Sequence, residues 1–93
     1  MAKMYFDGQA GEHIAQRGRE RIGTGPEGQR FVEQVKQILT MDAPADTAGG
    51  KDWWVQVGPF KLVCKGNMIK SALEPNMVAY GTEYRISGGR FVK

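Results

Sequence analysis

The stretch WWVQVGPFKLVCK, Trp53 to Lys65, decides the fold. Trp53, Val55 and Val57 alternate with Trp54 and Gln56, and Phe60, Leu62 and Cys64 alternate with Lys61, Val63 and Lys65. A period of two is the signature of a strand with one buried face. Gly58-Pro59 breaks the run and Gly66-Asn67 turns it again, so the two segments predict a β-hairpin. Cys64 falls on the apolar face with Phe60 and Leu62, as a buried structural thiol rather than a nucleophile. The other face presents Lys61 and Lys65 beside Trp54. Lysines next to an aromatic ring suit stacking on a base with contacts to phosphate. The plainer alternative packs Trp54 under a helix and leaves the lysines solvated.

Upstream, the pattern changes to helical. Phe31, Val32, Val35, Ile38 and Leu39 form one continuous apolar face, with Arg30, Glu33, Lys36 and Gln37 around the other side. Thr24-Gly-Pro-Glu27 reads as a capping box with proline in the first turn, so a helix is predicted from about Pro26 to Met41. Its expected role is to cover a sheet. Before it stands HIAQRGRERI, His13 to Ile22, which holds the only histidine. Ile14, Gly18 and Ile22 share one face, and Gly23 is a suitable stop. Gly18 lowers helix propensity by about 1 kcal/mol relative to alanine, which points to a close packing contact. Lys3 to Asp7 predicts a first strand, and the GQAGE segment after it a loop. Asp42 to Lys51 is a long loop, read as a connector in preference to a mobile binding loop.

Downstream, Met68 to Asn76 is irregular, with Pro75-Asn76 as a turn signal. Met77 to Ile86 is rich in strand formers, Ser87-Gly88-Gly89 is a tight turn, and Arg90-Phe91-Val92 returns as a last strand. The expected fold is therefore α+β: a single domain with an N-terminal strand and two helices packed on one face of an antiparallel sheet of about four to five strands.

Ninety-three residues suit one domain with a modest core. Hydrophobic content of 41% and charged content of 25% are ordinary for a globular chain. Apolar runs are too short to span a bilayer, and no charged segment leads into an apolar one as in a signal peptide. A lone cysteine makes no internal disulfide. These features predict a cytoplasmic protein without membrane partners. The net charge is +3, but residues 51–93 carry seven Lys or Arg against Asp52, Glu74 and Glu83, a local +4. A basic half is compatible with a polyanion partner, RNA above all, and equally with a solubilising surface.

Several chemistries find no support. There is no Walker loop and no GxGxxG after a strand. One histidine, one cysteine and scattered acids do not make a metal site, and no cofactor is expected. One reaction needs little machinery. RNA carries its own nucleophile, so a general acid or base and one or two cations suffice to cleave it. His13, Arg17 and Arg21 stand at i, i+4 and i+8, one stripe of a helix. Imidazole suits proton transfer at neutral pH, and the guanidinium fork suits phosphate. Tyr80, Thr82, Tyr84 and Arg85 are candidates for further donors from the facing sheet. The inert alternatives are a helix-start histidine near Glu12 and a solvated charged face.

His13-Ile14 followed by Arg17-Gly18 and Arg21-Ile22, after a first strand and before a second helix and a run of strands, resembles the small RelE/BrnT-like and colicin-type ribonuclease toxins. The segment VAYGTEYRISGGRFV, Val78 to Val92, is similar to their later strands, which often carry threonine or tyrosine. The resemblance implies a metal-independent ribonuclease inhibited by a cognate antitoxin. Three functional expectations therefore stand. One is a small basic RNA-directed protein, with His13 as proton-transfer group, Arg17 and Arg21 as phosphate clamps, and Thr82 and Tyr84 beside them. Another is a non-enzymatic, phage-type inhibitor or accessory protein that covers a macromolecular partner. The third is a plain nucleic-acid-binding module that uses Trp54, Lys61 and Lys65 without cleavage. Trp54, Lys61, Lys65 and Arg85 are the candidate binding residues. The oligomeric state is not legible in the sequence.

Overall fold

The computed structural model describes residues 2–93. In chain order the elements are β1 (Tyr5–Phe6), α1 (Ala10–Arg21), α2 (Pro26–Ile38), a 3-10 turn (Ala45–Thr47), β2 (Asp52–Val57), β3 (Phe60–Lys65), β4 (Met68–Leu73), β5 (Thr82–Ser87) and β6 (Arg90–Val92). They form one α+β domain. The sheet has six strands in the order β1-β4-β3-β2-β5-β6. The expected antiparallel sheet of four to five strands is thus corrected to a mixed one: β1 runs parallel to β4 and β2 parallel to β5. The pairs β2/β3, β3/β4 and β5/β6 are antiparallel.

The Trp53–Lys65 stretch forms a hairpin, with Trp53 opposite Cys64 and Val55 opposite Leu62. Trp53, Val55, Val57, Phe60, Leu62 and Cys64 are all buried on one face. Ile69 and Ala72 of β4 join them. Those two lie three apart because the β3/β4 register shifts between Val63 and Cys64, a bulge on the β4 side. The bulge destroys the period of two, which is why Met68 to Leu73 looks irregular in sequence.

Both helices lie on this face. Ile14 of α1 and Phe31, Val35 and Ile38 of α2 complete the core with Met4, Met41, Tyr84 and Phe91. Residue 18 sits where the helices approach: a Cβ there would lie 2.9 Å from the Phe31 ring, so glycine permits the contact. That packing offsets the propensity Gly18 gives up. The first helix begins at Ala10, not His13, and the expected loop shrinks accordingly. It ends as expected, with Gly23 at φ 91° donating its N–H to the Gly18 and Arg19 carbonyls. Thr24 does not cap α2: the N-cap is Gly25, with no side-chain cap, and Pro26 opens the first turn.

The segment 42–51 is a tied-down connector. Thr47 is buried and donates its hydroxyl to Pro44 O at 2.7 Å. Tyr84 donates its hydroxyl to Asp46 at 2.7 Å, and Lys93 pairs with the same carboxylate. These two contacts, Lys93 first, hold the Asp46 carboxyl down to about 2.

Of the stretch predicted as a strand from Met77 to Ile86, only the part from Thr82 onward is one. The segment 74–81 is a strap with a topological reason. β4 and β5 point the same way but lie on opposite sides of β3 and β2, so the chain must cross the sheet. The helices occupy one face, and the strap takes the other. Lys61 of β3 donates its Nζ to Met77 O at 2.7 Å and pins it. The strap ends at Gly81, where φ is 92° and a Cβ would lie 2.1 Å from Asp52 O. Both facts require glycine there.

Candidate functional site

The molecule brings together two cationic regions, and they are employed differently. In α1, His13, Arg17 and Arg21 do lie along one exposed side of the helix. That side meets the C-terminal end of β4. Arg17 donates Nη1 to Ala72 O at 2.6 Å, and Arg21 pairs with Glu74 at 3.2 Å. The first contact follows from the sheet. β1 pairs with β4 only at Met68 and Ile69, so the later carbonyls of β4 lose their strand partner. Arg17 supplies a donor to one of them, as a buried carbonyl requires. His13 is exposed, and among the described residues no side chain hydrogen-bonds to it.

Thr82 and Tyr84 do not join this stripe. They belong to β5, separated from β4 by β3 and β2. Three inter-strand steps amount to about 14 Å. Tyr84 faces the core, edge-on to Trp53 with ring centroids 5.2 Å apart, and its hydroxyl is engaged by Asp46. Burial first, and then Asp46, raise its phenol above the ordinary value. The set expected to act together as proton donor and clamps is therefore split between opposite halves of the sheet. Cys64 is buried as expected, and burial pushes its thiol up to about 12, far from a reactive thiolate.

The second region is the face of the sheet that the helices leave open. Trp54, Lys61, Lys65 and Arg85 all lie on it, by alternation with the buried Trp53, Leu62, Cys64 and Tyr84. Trp54 is half-buried between Val63 and Glu83 of the neighbouring strands. The Lys61 ammonium stands 5.3 Å from its ring centroid, a cation–π contact. On strands β2 to β6 this face carries Lys61, Lys65, Lys70, Arg85 and Arg90 against Asp52 and Glu83. The surplus is three positive charges. Lys65, Lys70, Arg85 and Arg90 are exposed, and none takes part in the ion pairs at Asp42, Asp46 and Glu74.

The strap adds what the sequence reading missed. Met77, Val78 and Tyr80 are exposed at 44%, 75% and 80%, large apolar side chains on a connection over a basic face. Between strap and sheet runs a groove of about 510 Å³. The sequence signal was present in the strand formers from Met77 to Tyr80, but their exposure follows only from the crossing. No helix among the described residues is long and apolar enough to cross a membrane. Comparison with protein-family models, with curated proteins and with solved structures gave no match.

Proposed function

We propose that this chain is a small RNA-directed binding protein whose working surface is the open face of the sheet. The observation that carries the proposal is the joint placement of Trp54 with Lys65, Lys70, Arg85 and Arg90, which make no ion pair among the described residues, on the sheet face opposite the helices. A sheet with helices on one side and aromatic and basic side chains on the other can stack bases and hold phosphates at once. Stacking tolerates any base, and the cations supply affinity through counterion release.

A ribonuclease centred on His13 has less to support it. Arg17 and Arg21 are engaged by Ala72 and Glu74, and the further donors lie across the sheet. An orienting partner is the usual signature of a catalytic base, and no described side chain hydrogen-bonds to His13.

The test is fluorescence anisotropy of a labelled single-stranded RNA at several salt concentrations, with the same RNA run on a gel afterwards. The expected result is binding with a log–log salt slope of about −2 to −3, as three or four phosphate contacts require, and intact RNA. Salt-independent or absent binding would overturn the proposal. Cleavage that survives EDTA and disappears in His13→Ala would restore the catalytic stripe in its place.

A further inference from the structure

We infer that the groove beneath the strap receives one base of the bound strand and prefers a base that carries an exocyclic amino group; this rests on the nucleic-acid proposal above. The groove volume of about 510 Å³ falls in the range of small-ligand sites. Val63 and Leu73 of the sheet and Met77 and Tyr80 of the strap supply apolar lining. An apolar slot with an aromatic rim suits the flat face of a base, and the Tyr80 ring is exposed for stacking.

The polar groups set the preference. Asp52 opens β2 on the open face, alternating with the buried Trp53, and lines the groove. Tyr80 lines the same groove, and the next residue, Gly81, brings the strap against the Asp52 backbone. A carboxylate accepts hydrogen bonds and donates none. Cytosine, adenine and guanine present an exocyclic NH₂ donor that uracil lacks, and cytosine N4 is the usual partner of Asp and Glu. Uracil presents O4 at the corresponding position, where two acceptors would face each other. Lys70 also lines the groove and is available to the adjoining phosphate. The strand would thus be held by charge that reads no sequence and by a carboxylate, Asp52, that does; Asp7, the other acid of the lining, follows β1, which β4 and β3 separate from β2.

The experiment compares a short oligocytidylate with an oligouridylate of equal length, by anisotropy at one salt concentration and neutral pH, on wild type and Asp52→Asn. Wild type is expected to bind the cytidine strand roughly five- to tenfold more tightly, the lower range for one good base contact. Asp52→Asn is expected to abolish the preference while keeping affinity for the uridine strand, since an amide can donate to O4 or accept from N4 equally well. A melting curve for the variant confirms that it is folded. Equal binding of the two strands by wild type, or a preference that persists in Asp52→Asn, would overturn the inference and leave the binding proposal standing. Failure of wild type to bind either strand would overturn both.

Discussion

Trp53 and Trp54 are neighbours in the chain and opposites in the structure. Trp53 is fully buried: its indole N–H donates to Gly66 O at 2.7 Å, and its ring meets Tyr84 and Phe91 edge-on. Trp54 lies on the other face, partly buried, with the Lys61 ammonium 5.3 Å from its ring centroid. One residue type, displaced by one position, closes a core on one side of the sheet and is left available on the other. The same contrast divides the cations. Arg17 and Arg21 of α1 satisfy acceptors of the fold itself, whereas Lys65, Lys70, Arg85 and Arg90 on the open face have no such acceptor among the described residues. Residue type therefore says less about function than what each side chain has left to bind.

The sharpest way to break this contrast is to truncate each tryptophan. Trp53→Ala should cost about 3–5 kcal/mol of stability, as large aromatic truncations in cores do, read from urea melts. Trp54→Ala should cost clearly less stability than Trp53→Ala, since its ring is only partly buried, and should in addition lose about 1–3 kcal/mol of RNA affinity, the worth of one stacked base. Equal destabilisation by both variants would mean that the two faces are not distinct.

The arginines of α1 give smaller effects. Arg17→Ala removes a charged donor from a β4 carbonyl and should cost about 1.5 kcal/mol, with RNA affinity unchanged. Arg21→Ala breaks a half-exposed pair and should cost about 0.5 kcal/mol. A drop in RNA affinity in either variant without a matching loss of stability would place phosphate at the helix rather than on the sheet.

The smallest effect concerns acid. The folded Asp46 carboxyl lies at about 2 against an ordinary 3.8. Its contribution to stability is therefore present above the ordinary value and is lost as pH falls towards about 2. Asp46→Asn should lower the melting temperature slightly at neutral pH and should flatten its decline across that acid window. An unchanged acid limb would mean that the tie from Asp46 to Tyr84 and Lys93 does not persist in solution.

Much of the covered face was legible in the sequence. The hairpin, the burial of Cys64 and the apolar face of α2 each follow from a period within one segment, and local periodicity survives whatever the segment later pairs with. The parallel pairings were not legible, because β1 finds β4 and β5 finds β2 across long stretches of chain. β4 was hidden by its bulge, and the first turn of α1 by Gly11, whose place is set by contact with Phe6. The open-face residues were readable as a group from alternation alone. The strap was not, since nothing local distinguishes an apolar crossing segment from a strand. His13, Arg17 and Arg21 do share a helix side as their spacing indicates. That Arg17 is used by a β4 carbonyl depends on where β1 stops, which no spacing within α1 records.

The most direct test is a titration of isotope-labelled protein with single-stranded RNA, followed by amide and indole N–H resonances. The two indole signals report the two faces separately. The Trp54 indole and the amides of Lys61, Val63 and Arg85 should shift, while the Trp53 indole, held by Gly66 O, stays in place. Shifts confined to His13, Arg17 and Arg21, or none at all, would contradict the assignment of the open face as the binding surface.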